Sequence, residues 1–269
     1  MIRLPNFPLP EPANSQLAGY QHEIDSLPDY ETRVKRAKER FSRLNRIGDP
    51  TFDIVKATLS KMCVGAQRCA YCEDSLADEV EHIRPKALYP ELAFAWMNYL
   101  YACGPCNSPK SSNFAVFASE TGVPTDVSRR RGAPILPPVS GTPVLLDPRV
   151  EDPMNFMKLD LLGTFLFKVT SEPGTVEYQR AKYTIDLLRL NRREALQTAR
   201  RSAFGDFHAH LTRYAQERAR GHAPEHLQHL AQDIQTRQHA TVWREMKRQH
   251  LLIPELKRLF EAAPEALNW

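Results

Sequence analysis

CAYCEDSLADEVEHIRPKALYPELAFAWMNYLYACGPCNSPK, residues 69–110, holds two Cys-x-x-Cys pairs, Cys69/Cys72 and Cys103/Cys106. Between and just after them lie an acid–histidine pair, Glu81-His82, and two asparagines, Asn98 and Asn107. Each cysteine pair can form a knuckle that presents two thiolates, and two knuckles complete a tetrahedral zinc site. A thioredoxin-like redox pair needs only one such motif at the start of a helix, so the doubling argues against it. Four thiolates close the coordination shell, which makes this zinc structural rather than catalytic. A segment of about 40 residues builds too small a core to fold alone, and a bound zinc contributes on the order of 10 kcal/mol. The fifth cysteine, Cys63, sits in an apolar stretch and reads as a small buried hydrophobe.

Zinc knuckles occur in many proteins that only bind, so the residues between the cysteines must carry any chemistry. Val80-Glu81-His82-Ile83 reads as a short strand in which Glu81 and His82 face opposite ways unless the strand ends there. Pro85 then holds Arg84 extended. Asn107 follows the last cysteine where a helix can start, with Lys110 one turn on. Phosphodiester hydrolysis calls for a base titrating near neutrality, which histidine supplies, and for a cation beside the charge that develops on phosphorus. Arg84, Lys86 and Lys110 are candidate phosphate contacts, although lysines and arginines are more often plain surface charge. Trp96 reads as core. The run from Gly104 to Ser111 superficially matches a P-loop, but Pro109 stands where the second glycine belongs and lacks an amide hydrogen.

This string resembles the HNH, or ββα-metal, endonuclease motif in its four-cysteine form. The resemblance covers about 45 of the 269 residues, within 66–115. It implies that His82 activates water, that Glu81 and the Asn107 amide oxygen hold a catalytic Mg2+ or Mn2+, and that Asn98 fixes the loop and orients His82. Cys69, Cys72, Cys103 and Cys106 would hold the structural Zn2+. Many members carry histidine where this chain has Asn107, and an amide oxygen is the harder ligand, favouring magnesium or manganese over zinc or nickel. Such enzymes leave a 5′-phosphate and a 3′-hydroxyl.

The flanks are read around that centre. The expected class is α+β and mostly helical: an N-terminal arm and helices over 1–65, the nuclease core over 66–115, a loop-rich connection with a β-hairpin over 116–176, and a helical region over 177–269. Residues 1–28 are proline-rich and read as an irregular arm. Asp29 is placed to cap a helix running through Arg46, with Val34, Ala37, Phe41 and Leu44 on its buried face. Its many basic residues suit a solvated face or a nucleic-acid backbone equally. A second helix is expected near Phe52–Met62. Arg129-Arg130-Arg131 reads by default as a solvated run in a proline-rich loop. Met157–Leu161 and Thr164–Val169, split by Gly163, predict the hairpin. Tyr183, Leu187, Leu188 and Leu190 form an apolar stripe, and helices follow over 193–219, 223–236 and 238–263, with breaks at Gly221 and Pro254. Leu227, Leu230 and Ile234 give one apolar face; Val242, Met246 and Leu251 give another. His222 and His226 are four apart, but no adjacent carboxylate or cysteine pattern argues for a second metal site.

The net charge of +4 is only mildly basic and says little about nucleic acid by itself. No apolar run approaches the roughly 20 residues of a membrane span, and the proline-broken start lacks a signal-peptide core. A cytoplasmic protein is therefore expected. Diffuse features of the flanks, Leu146-Asp147-Pro148, Asp152-Pro153 and Thr184 to Arg192, are similar to the PtuB-type HNH nucleases of Septu and some retron anti-phage systems. That resemblance implies an ABC-type ATPase partner and DNA, or RNA, as substrate. A stand-alone restriction-type nuclease and a zinc-knuckle binding module with a degenerate site are the competing readings.

Overall fold

The computed structural model describes residues Met1–Trp269. Three helices come first: α1 Ala13–Asp25, α2 Tyr30–Leu44 and α3 Pro50–Met62. Asp29 caps α2, its carboxylate accepting from the Thr32 N–H, and Asp49 caps α3 through the Phe52 N–H, each satisfying a donor the helix start leaves open. Val34, Ala37, Phe41 and Leu44 are buried as their spacing predicts. The expected irregular arm is only half right. It is irregular through Pro12, but α1 then forms because Ala13, Leu17, Tyr20 and Ile24 repeat at helical spacing and are all buried. The arm is docked, with the Leu4 N–H donating to the Pro148 carbonyl (2.8 Å) and Phe7 accepting from the Trp96 indole (3.0 Å).

The centre of the chain is β1 Glu79–His82, β2 Tyr99–Ala102 and α4 Gly104–Lys110. β1 and β2 pair antiparallel, Glu79 opposite Ala102 and His82 opposite Tyr99. β2 is buried along its whole length and α3 packs against it. A three-stranded sheet follows in the order β4-β3-β5, from β3 Ala115–Ala118, β4 Pro124–Asp126 and β5 Gly141–Pro143. The sequence reading had only loop here. Gly141 is required: a Cβ at this position would lie 2.2 Å from the Phe117 carbonyl oxygen, far inside contact distance. The hairpin is present as β6 Met157–Leu159 with β7 Phe167–Val169, shorter than expected because the Asp160 carboxylate organises a loop over Leu162 and Thr164.

The remainder is helical: α5 Val176–Leu187, α6 Glu194–Ala219, α7 Pro224–Gln235, α8 Ala240–Gln249 and α9 Pro254–Ala262. Leu230 and Ile234 are buried with Leu227 packed beside them, and Val242 and Met246 are buried in turn. Leu251 is a correction: it is exposed, because a short 3₁₀ turn over His250–Leu252 ends the helix ahead of the expected break at Pro254 and rotates Leu251 out of the apolar stripe. Asn191, just ahead of α6, clamps β7, exchanging two hydrogen bonds of 2.8 Å with the Phe167 backbone. No helix is long and apolar enough to cross a membrane.

Candidate metal centre and adjoining cleft

Cys69 and Cys72 lie on the turn before β1, while Cys103 caps α4 and Cys106 lies within it. All four are buried, and their sulfur atoms lie within 4.8 Å of one another. The Cys72 and Cys103 sulfurs are 3.7 Å apart. A disulfide needs about 2.05 Å, whereas four sulfurs at about 2.3 Å from a tetrahedral ion sit about 3.8 Å from each other. The thiols are therefore arranged as ligands, and they fit zinc. Arg193, at the start of α6, donates to the Cys106 sulfur (3.1 Å), a charged donor that suits a thiolate. Cys63 stands apart and is only half-buried, at the edge of the core rather than inside it as expected, its thiol pushed up to about 12 by burial.

One face of β1 and α4 opens on a cleft of about 260 Å3, lined by Glu81, His82, Asn107, Lys38 and Lys86 among others. Glu81 and His82 reach one cleft because β1 ends at His82, the exception that simple strand alternation allows. His82 is buried, its ring packed edge-on against Phe41 (4.4 Å) and Tyr99 (5.1 Å). Its Nε2 lies 2.9 Å from the Ala93 carbonyl. A carbonyl only accepts, so Nε2 carries the proton and Nδ1 keeps its lone pair. Burial, followed by the nearby Lys86 ammonium, holds His82 well below the ordinary imidazole range, so the ring is neutral.

Burial pushes the Glu81 carboxyl up, against the pull of the Lys110 ammonium that is ion-paired with it. The Asn107 Nδ2 donates to the Glu79 carboxylate (2.5 Å), which leaves Oδ1 as the atom able to meet a cation. Glu81 and Asn107 thus offer hard oxygen donors on one polar cleft, a set suited to magnesium or manganese. Asn98 is buried and clamps the loop: its Oδ1 accepts from the Arg84 N–H (2.8 Å), and its Nδ2 donates to the Arg84 and Leu92 carbonyls. Its side chain makes no bond to His82. The Ala93 carbonyl orients that ring and also accepts from the Tyr99 hydroxyl (2.6 Å).

The three candidate phosphate contacts separate. Lys86 lines the cleft, its ammonium over the Phe41 ring and its pKa lowered by burial. Arg84 stacks on Tyr89 and lines a different surface hollow. Lys110 has no solvent exposure; its ammonium is bonded to the His82 carbonyl (2.7 Å) and paired with Glu81, so it presents nothing to a phosphate here. Trp96 is half-buried, and the buried Arg149 guanidinium lies over it and donates to the Tyr99 carbonyl (2.6 Å). Sequence reasoning passed over Glu79, Arg149 and Arg193, and took in Lys38 only as one of the basic residues of α2. Only Glu79, two residues before Glu81 on the same strand face, left a sequence signal.

No known family profile matches the chain. Over 51 residues it is 41% identical to the Septu protein PtuB of Bacillus thuringiensis, covering 17% of this chain and 20% of that protein. The chain thus spans about a fifth of the length of the curated relative it matches.

Proposed function

We propose that the protein is a metal-dependent HNH endonuclease that hydrolyses phosphodiester bonds in DNA. We assign it the role of nuclease effector in a bacterial anti-phage system, working with an ABC-type ATPase. One observation carries the nuclease reading: a neutral imidazole, fixed through Nε2 to the Ala93 carbonyl, shares a cleft with Glu81 and Asn107 on a β1–β2–α4 unit stapled by four cysteines. The partial likeness to a Septu protein supports the defence role.

In this reading His82 Nδ1 takes the proton from the attacking water, and the Ala93 carbonyl stabilises the imidazolium through Nε2–H. Glu81 and Asn107 Oδ1 would hold a magnesium or manganese ion, which when bound supplies charge stabilisation at the phosphoryl group and the leaving oxygen. Asn98 keeps the loop from Arg84 to Ala93 in place and so positions His82 indirectly. Lys86 and Lys38 line the cleft, and a second groove sharing Lys38 runs past Lys35 to Arg130 and Arg131. Arg130 and Arg131 are exposed and make no salt bridge, which suits them to the substrate backbone. Arg129 is spent on the Ala87 and Leu136 carbonyls.

The test is cleavage of plasmid DNA and of RNA with Mg2+ or Mn2+, with and without the partner ATPase. His82→Ala should abolish cleavage and keep zinc content and a cooperative thermal transition, at a Tm lowered by the cavity the buried ring leaves; cutting at the parent rate would refute the assignment. A second reading, a zinc-stapled binding module with an idle site, draws on the Lys110–Glu81 ion pair, since that ammonium holds the carboxylate a cation needs. It would bind DNA with steep salt dependence and give no products under any metal.

A further inference from the structure

The turn between α6 and α7 brings together three side chains that the sequence keeps apart. α6 ends at Ala219, and Gly221 takes a left-handed conformation at φ +74°. The His222 N–H donates to the Glu217 carbonyl (3.2 Å) and the Gly221 N–H to that of Arg218 (3.0 Å). This is a Schellman turn, whose geometry sets the residue after the glycine beside the one five positions earlier. His222 is thereby set against Glu217, and His226, in the first turn of α7, comes up on the same side.

The side chains converge on one carboxylate oxygen. Glu217 Oε2 lies 2.8 Å from His222 Nε2 and 3.8 Å from His226 Nε2. The three ligand atoms all fall within 4.8 Å of one another, and the imidazole rings are 5.4 Å apart. The other carboxylate oxygen, Oε1, is taken by Arg220 (3.2 Å), which aims Oε2 at the histidines. Three ligands at about 2.0–2.1 Å around a tetrahedral ion sit about 3.4 Å apart. The observed separations straddle that value, so side-chain rotation alone closes the site.

We infer that Glu217, His222 and His226 form a second metal site, of the zinc class, with three protein ligands and an open fourth position. Two imidazoles and a carboxylate select zinc, copper or nickel over magnesium or calcium. The His222 and His226 side chains are 47% and 41% exposed, so an ion reaches the site from solvent without unfolding. The bound ion ties the end of α6 to the start of α7, and its open position accepts water or a ligand from outside the chain. The site is independent of the four-cysteine cluster and of the nuclease reading.

The experiment uses the untagged full chain, with the cysteine site saturated by zinc and excess metal removed. With excess Mg2+ present to occupy the Glu81–Asn107 cleft, titration with Co2+, followed by visible absorption and calorimetry, should show one further equivalent whose spectrum lacks the thiolate charge-transfer band. His222→Ala and His226→Ala should each weaken that binding by at least the roughly 10–100-fold that loss of an outer-shell partner costs. Glu217→Gln should weaken it too, while His229→Ala, one turn further along α7, leaves it unchanged. All three ligand positions are solvent-accessible, so the variants fold, and unchanged thermal unfolding verifies that. Absence of a second equivalent, or one that survives both histidine changes, overturns the site.

Discussion

The Lys110 ammonium sits without solvent exposure between the Glu81 carboxylate and the His82 carbonyl. Removing one partner of a buried ion pair leaves an uncompensated charge and costs about 3–5 kcal/mol. Lys110→Met is therefore expected to lower urea stability by that order. If Glu81 takes a divalent ion, millimolar Mg2+ should restore part of the loss, and a Mg2+-independent defect would count against Glu81 as a ligand. Asp147 gives a separate prediction, in pH. Burial raises its pKa from the usual 3.8 to about 6, so the folded state holds this proton more tightly than the unfolded chain. Its stabilising effect is complete below pH 4 and is lost as pH rises through 6, a swing of about 3 kcal/mol at 1.36 kcal/mol per pKa unit. Asp147→Asn removes the titrating charge while keeping an acceptor for the Arg149 N–H, which Asp147 now bonds at 2.8 Å. The variant's stability relative to the parent should climb by about that amount between pH 4 and pH 7 in parallel denaturation series. A difference flat in pH would show that the Asp147 carboxyl is not perturbed.

Among the elements, the two cysteine knuckles bear more than their own segment. Directly after Cys72, the Glu73 carboxylate accepts from the Thr241 N–H (2.9 Å) and hydroxyl (2.6 Å) at the start of α8, and Asp74 meets His239. On the other knuckle Arg193 ties α6 to Cys106. Cys103→Ser should thus release α6 and α8 as well as β1–β2–α4. A structural zinc contributes on the order of 10 kcal/mol, against a typical total of about 5–15, so the expected result is global loss of the thermal transition with loss of bound zinc. Cys63→Ser should keep both, and a cooperative transition near the parent's in Cys103→Ser would remove the zinc from the account of the fold. These knuckles were legible in the sequence, as were the Asp29 cap and the hairpin, because each is a local pattern with its own physical signature. α1 was hidden behind the prolines that precede it. β3, β4 and β5 were hidden because they are three or four residues long, with Pro124 and Pro143 in them, and exist only through pairing with one another. That Glu81, His82 and Asn107 would line one cleft was legible by type and spacing. What they bond to was not: that Asn98 holds Leu92 rather than His82, or that Lys110 turns inward, depends on where the loop from Pro85 to Ala93 returns.

At the scale of the whole molecule, a net charge of +4 is too small to commit the chain to nucleic acid, so the arrangement of charge has to carry that argument. Lys86 and Lys38 line the cleft, and Lys35, Arg130 and Arg131 extend the same sign along the adjoining groove. α2 supplies the first part of that path and the loop before β5 supplies the second, two segments far apart in sequence. A backbone lying in the groove would release counterions from each phosphate neutralised, at a slope of about 0.9 per contact in log K against log salt for duplex DNA. Lys38→Gln, Arg130→Gln and Arg131→Gln together should therefore flatten that slope by about 2–3 and weaken binding alike on unrelated sequences. The matched control removes the same charge from the far helices, through Arg213→Gln, Lys257→Gln and Arg258→Gln, all exposed. It should leave the slope at the parent's value in fluorescence-anisotropy titrations run across a salt series. Equal flattening by both triple variants would mean that only total charge matters, and the groove would lose its claim to the substrate.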